Sequence, residues 1–182
     1  MTQSTSIEST ILKALRDVPD FPKPGIVFKD ITPILSTPPV FAQVIDNMAQ
    51  IISTFQPSHI AGIEARGFLF GTPIARQLKL PFVPVRKPGR LPWKKKSIAY
   101  TLEYGEATIE IHEDALGEGK LKRVAIVDDL LATGGTTKAS CELIQALGGQ
   151  VVLASFVVEL GFLSGRKVLE DTVPVRSLAI VS

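Results

Sequence analysis

The sequence predicts an α/β protein with a mostly parallel central sheet flanked by helices. Short apolar runs of strand length recur along the chain, and stretches of helical periodicity separate them. Alternation of that kind implies a parallel sheet covered on both faces, with ligands bound beyond the carboxyl ends of its strands.

The elements follow in order. Ile7, Ile11, Ala14, Leu15 and Val18 recur at helical spacing, and Pro19 stops the pattern. PDFPKPG (Pro19–Gly25) has three prolines in seven residues and must extend or turn. Phe41, Val44, Ile45, Met48, Ile51, Ile52 and Phe55 form one apolar helical stripe. HIAGI (His59–Ile63) is a short buried strand, followed by a helix ending near Leu78. PFVPVR (Pro81–Arg86) is a strand, and Arg86–Lys96 a basic, proline-broken loop. Ile98–Glu103 and Ala107–His112 pair as a hairpin across Tyr104–Gly105–Glu106. RVAIVDD (Arg123–Asp129) is a strand leading through a glycine turn to a helix that ends at Gly148–Gly149. Gln150–Val158 and Val175–Val181 complete the strands.

Composition narrows the function. At 182 residues the chain suits one domain and buries about 70% of its unfolded surface without a disulfide or metal. Twenty basic against eighteen acidic residues argue against a nucleic-acid coat and against an acidic tail. One cysteine, Cys141, excludes an internal disulfide, and with two histidines it excludes the usual zinc clusters. No stretch approaches the ~20 apolar residues of a membrane span, and the start lacks a signal-peptide pattern. These exclusions leave a cytoplasmic location as the expectation.

The sharpest feature is VAIVDDLLATGGTT (Val124–Thr137). Helix N-termini leave N–H groups unpaired and carry partial positive charge. Glycines let that backbone approach an anion, and Thr133, Thr136 and Thr137 add hydroxyl donors. The spacing matches neither the Walker loop nor G-x-G-x-x-G. The adjacent carboxylates of Asp128 and Asp129 need donors, which the two hydroxyls of a ribose supply. A phosphate on one side and a diol on the other describe a ribose 5-phosphate. A capped turn with solvated aspartates is the plainer alternative.

This segment resembles the phosphoribosyl pyrophosphate (PRPP) motif of type I phosphoribosyltransferases, and DDLLATGGT is most similar to the adenine-specific branch. FPKPGIVFKDITP (Phe21–Pro33), EARGFLFG (Glu64–Gly71), VPVRKPGRLP (Val83–Pro92) and LEYG (Leu102–Gly105) resemble segments of that branch in the same order. The resemblance covers most of residues 20 to 165. It implies a single type I phosphoribosyltransferase domain over 1–182, with a small N-terminal hood from about 1–35 and a flexible lid hairpin.

The resemblance also implies roles. Arg66, in a loop where Gly67 allows close approach, would bind pyrophosphate, although a structural Glu64–Arg66 contact is the alternative. Lys87 would lie near pyrophosphate, with Arg86 serving across a dimer interface. Six basic residues in Arg86–Lys96 suit a lid over a polyanion. A solvated face or a nucleic-acid patch are the alternatives, and the Lys94–Lys95–Lys96 triplet reads as solvated. Asp128, Asp129, Ala132, Thr133, Gly134, Gly135 and Thr136 would bind PRPP, and Asp128, Asp129 and Glu103 would be catalytic. Glu103 would assist proton loss from the base, with Tyr104 supporting its loop. Val27 and Lys29 would read adenine through main chain, Phe28 would face the core, and Leu160 would touch the ring. His59, His112 and Cys141 read as structural.

The implied reaction is adenine plus PRPP giving AMP plus pyrophosphate, with Mg2+ held mainly by PRPP and water, in a homodimer. A 6-oxopurine transferase is the rival within enzymes; it usually carries Glu-Asp where this chain has Asp128–Asp129. A PRPP-sensing regulator without turnover is the rival from another class.

Overall fold

In a computed structural model, residues 6–102, 105–119 and 122–182 are described. Five parallel strands form the central sheet: β3 (His59–Ile63), β4 (Phe82–Val85), β7 (Arg123–Leu131), β8 (Gln150–Leu160) and β9 (Val175–Val181). Their order across the sheet is β4-β3-β7-β8-β9. The chain moves outward one way from β3 and the other way from β7, so the switch point lies between those two strands. In such sheets that crevice is where ligands bind.

Both faces are covered. Along β7, Val124 and Ile126 pack into a core with the helix α5 (Gly135–Ala146) and Ile109 and Ile111. Ala125 and Val127 pack on the opposite face with α1 (Ile7–Ala14), α3 (Pro38–Thr54) and α4 (Arg66–Leu78). The period-2 alternation of a strand explains the division. Two further antiparallel pairs lie outside the sheet: β1 (Arg16–Pro19) with β2 (Val27–Asp30), and β5 (Lys95–Leu102) with β6 (Gly105–His112). The short helices α2 (Thr32–Leu35) and α6 (Gly165–Leu169) complete the set.

Three expectations about elements change. The first helix ends at Ala14, and Val18 lies in β1 opposite Phe28 instead of on the helix. Lys29 pairs with its cross-strand neighbour Asp17 at 2.7 Å, so the β1–β2 pairing overrides the helical spacing at Val18. Gly105 and Glu106 belong to β6, opposite Leu102 and Thr101, instead of lying between the strands. The strand holding the aspartates continues to Leu131 because Leu130 and Leu131 pair with Val158 and Glu159 of a longer β8.

The hairpin is docked on α5. Ile98 and Tyr100 pack against the core that includes Leu143 and Ile144. Lys96 donates from Nζ to the Ala146 carbonyl at 2.7 Å, at the helix end that favours a cation. Lys95 bonds Glu110 at 2.8 Å. Two lysines of the triplet read as solvated are therefore partnered.

Candidate active site

Four loops meet at the carboxyl ends of the strands. A cleft of about 580 Å³ is lined there by residues that include Glu64, Lys87, Tyr100, Asp128 and Thr136. A smaller cavity of about 80 Å³ adjoins it, lined by Asp128, Leu130–Thr133 and Gly134–Thr137. Asp128 and Thr136 line both, so the acidic strand end and the glycine turn form one continuous site. Ala132, Thr133, Gly134, Gly135 and Thr136 are brought together as expected.

Gly134 has φ +82 and caps α5, leaving the first amides of that helix facing the small cavity. Its backbone is pressed against the segment after β8. A Cβ on Gly165 would lie 2.0 Å from the Ala132 carbonyl oxygen and 3.1 Å from the Gly134 nitrogen. Glu159 holds that segment in place. Its carboxylate accepts from Arg166 Nε at 2.9 Å and from Ser177 Oγ at 2.7 Å. Burial works against the charge of Glu159, but those donors outweigh it and hold its carboxyl below the usual range.

Strand geometry separates the two aspartates. Asp128 lies on the α5 face and lines the cleft, whereas Asp129 is buried and approaches Arg66 Nε at 2.6 Å. That approach is a charge contact without hydrogen-bond alignment, and Asp129 Oδ2 makes no hydrogen bond. Burial, and then the neighbouring Asp129 charge, push the Asp128 carboxyl well above the ordinary range.

Arg66 therefore contacts Asp129, and the alternative contact with Glu64 is not the one formed. Its guanidinium carbon also lies 5.8 Å from the centre of the Phe28 ring. Phe28 is only half-buried and meets Phe21 edge-on at 5.2 Å. It faces the site and not the core as expected, so a ring platform stands beside the arginine. Val27 is exposed on the other face of β2, while the Lys29 side chain is engaged by Asp17. Among the described strands β2 pairs with β1 alone, which leaves its second edge available to a ligand. Leu160 is half-buried at the carboxyl end of β8.

Glu64 joins the β3 and β4 loops. Its carboxylate accepts from Arg86 Nε at 3.1 Å and from the Lys87 amide at 2.9 Å. These donors overcome the cost of burial and keep its carboxyl below the usual range. Arg86 pairs with Glu64 and donates to the Arg90 carbonyl. Glu110 anchors the loop from the other side, accepting from the Gly89 amide at 3.0 Å and from Lys95. Glu103 and Tyr104 lie outside the described residues.

These anchors make a prediction for the basic loop. Glu110→Gln removes charge-assisted bonds worth about 1.5–3 kcal/mol, enough to raise the open population at least about tenfold. Trypsin cleavage after Arg90 or within Lys94–Lys96 is expected to accelerate accordingly, and an unchanged rate would show that Glu110 does not restrain the loop.

Glu110, Tyr100 and Gly165 carried no sequence signal of a site role, and the sequence pointed Glu64 to Arg66 and not to Arg86. Each acts through a contact with a distant segment, and periodicity does not report such contacts.

Residues 30–177 match the phosphoribosyl transferase domain. The chain is 51% identical over 168 residues to an adenine phosphoribosyltransferase of Prochlorococcus marinus (strain MIT 9303), covering 92% of this chain and 96% of that one. The crystal structure of the adenine phosphoribosyltransferase of Thermoanaerobacter pseudethanolicus superposes with a TM-score of 0.90 at 50% identity, covering 97% and 100% of the two chains. That of Saccharomyces cerevisiae, complexed with adenine and an imino-altritol bisphosphate, gives 0.85 at 38% identity over 94% and 98%. The β-strand ends, the glycine cradle and these likenesses lead to one assignment: the chain belongs to the adenine phosphoribosyltransferase family.

Proposed function

We propose that this protein is a purine salvage enzyme that transfers the 5-phosphoribosyl group of PRPP to adenine, giving AMP and pyrophosphate. The observation that carries the reading is the continuity of the Asp128 cleft with the α5 cradle. A phosphate in the cradle places an attached ribose beside the Asp128 carboxylate. The yeast relative's adenine complex supports the choice of base.

In this reaction the bond from C1 of the ribosyl group to pyrophosphate breaks, and adenine N9 bonds to C1. The N9 proton passes to a base, the role we assign to Glu103. Positive charge grows on the ribosyl ring; Asp128, which lines the cleft, holds the diol and stabilises that charge, and Asp129 adds its own charge from its buried position beside Arg66. Arg66 and Lys87 receive the leaving pyrophosphate. For Arg66 this requires exchanging its contact with Asp129 for one with the ligand. The main chain of Val27 and Lys29 reads the base edge, with Leu160 against the ring.

Mg2+ fits the chemistry of the donors. Among the described residues no group of three or more His, Cys, Asp or Glu could hold a metal, so PRPP oxygens and water would supply most ligands. Asp129 Oδ2, buried beside Arg66 Nε without an aligned hydrogen bond, is a carboxylate oxygen that could turn to a cation or its water once Arg66 moves to the ligand. The cation supplies charge neutralisation of the leaving group. We further propose a cytoplasmic homodimer. Exposed Phe21, Val27 and Leu69 give it apolar surface for association, and among the described residues no helix is long and apolar enough to cross a membrane.

The test is base choice. With PRPP and Mg2+, AMP formation from adenine is expected, at a kcat/KM at least about a hundredfold above that for hypoxanthine. Replacing an amine donor by a carbonyl leaves a buried group unpaired, on the order of 2–3 kcal/mol. Comparable turnover of both bases would favour the 6-oxopurine assignment, and binding without turnover the regulator.

A further inference from the structure

Among the described residues, the hairpin meets the phosphate cradle at a polar contact. Tyr100 Oη lies 3.0 Å from Thr136 Oγ1. Thr136 is in the first turn of α5 and Tyr100 is on β5, 36 residues earlier. The phenol ring packs into the core beside α5, so its hydroxyl is delivered to Thr136 by a fixed ring. Both side chains line the cleft, and Thr136 also lines the cradle.

We infer that Tyr100 is a positioning residue of the phosphate cradle: its hydroxyl donates to Thr136 and so aims the Thr136 proton at the phosphate of the bound ligand. This rests on the phosphoribosyl reading above. Each hydroxyl has one proton to donate and two lone pairs. In the empty protein either can be the donor. A phosphate in the cradle breaks that symmetry, because a dianion only accepts, so Thr136 must donate its hydrogen bond to it. Thr136 Oγ1 can then only accept from Tyr100, and the two bonds run in one direction, each polarising the other. The same contact ties β5, and through it the hairpin whose far end is fixed by Lys96, to occupancy of the cradle.

A phenylalanine keeps the ring packing and removes the donor, so Tyr100→Phe tests the hydroxyl alone. Affinity for AMP is measured by calorimetry in three backgrounds. With Thr136 present, Tyr100→Phe is expected to weaken AMP binding about tenfold, the upper scale of one hydrogen bond between neutral groups, here strengthened by the charged phosphate next to it. In a Thr136→Val background the same change should cost less than about twofold, because the relayed proton is gone. In a Thr136→Ser background, which restores the hydroxyl, the tenfold loss should return. In parallel, the KM for PRPP should rise more than the KM for adenine.

An equal loss in the valine background would show that Tyr100 acts through packing, and would overturn the inference. No loss in the natural background would overturn it too. The unmodified protein separates this from the broader reading. If it binds neither AMP nor PRPP, the phosphoribosyl assignment fails and the inference with it. If it binds both and Tyr100→Phe changes nothing, the inference alone fails.

Discussion

Gly165→Ala is expected to remove most PRPP binding from a protein that still folds. The added Cβ would sit 2.0 Å from the Ala132 carbonyl oxygen, 2.9 Å from its carbon and 3.1 Å from the Gly134 nitrogen. All three are backbone atoms of the proposed phosphate cradle, so no side chain can swing away. Either the cradle or the segment after β8 must move. Glu159, Arg166 and Ser177 hold the latter, and the cradle is therefore the part that yields. The overpacking costs about 1–3 kcal/mol of stability, which for a chain of this size lowers Tm by a few degrees, about 2–4 °C per kcal/mol. The effect on function is larger, because a phosphate site tolerates little displacement of its donors; kcat/KM for PRPP should fall at least about a hundredfold. Gly119→Ala is the control, since a Cβ there meets nothing within 4 Å. Wild-type PRPP kinetics in Gly165→Ala, with Tm lowered as expected, would show that the cradle does not depend on this backing.

Asp128→Asn should move activity and stability in opposite directions. Burial and the Asp129 charge raise the Asp128 carboxyl in the folded protein above its unfolded value. The folded state then holds the proton more tightly than the unfolded one. Stability falls as pH rises from the ordinary carboxylate range through the folded value, and the penalty is fully present above it. Asparagine cannot ionise and escapes the penalty. The variant should melt higher than the parent at neutral pH, and the difference should vanish in acid below the ordinary carboxylate range. Turnover should drop by about 10²–10³, the usual scale for removing one preorganised electrostatic group, with a much smaller change in PRPP affinity. A variant that melts lower at neutral pH would contradict the burial argument. One that loses affinity but keeps kcat would contradict the electrostatic role.

The sequence exposed features that local chemistry dictates. The strand-to-helix turn at Asp128–Thr137 declared itself because a phosphate cradle needs glycines and hydroxyls at one helix start, and these are neighbours in the chain. The five sheet strands were legible for a similar reason, since burial on both faces demands short apolar runs. Val18 misled because four residues of a strand can satisfy a helical spacing by chance, and only Phe28 and Lys29 opposite decide the matter. The resemblance implies a core-facing Phe28, whereas Arg66 becomes its neighbour only when the chain folds, so no local pattern reports that contact. The divergence of Asp128 and Asp129 depended on β7 running to Leu131, and that in turn on how far β8 extends beside it. Arg86 offered a charge whose partner, Glu64, is a neighbour only after β3 and β4 pair. Partners made by folding are absent from any local pattern.

The hairpin against α5 has a metric consequence. Lys96 and Tyr100 stand four residues apart on one face of β5, a span of about 13 Å at strand rise. Ala146 and Thr136, the groups they grip, stand ten residues apart on α5, about 15 Å at helical rise. The two elements gauge each other like matched rulers. Inserting one residue between Lys96 and Tyr100 would turn one of them to the far side of the strand. Inserting one in α5 would rotate its ends by about 100° relative to each other. Neither segment can change length alone, so variation in size among proteins built this way must be absorbed in the turns outside that pair.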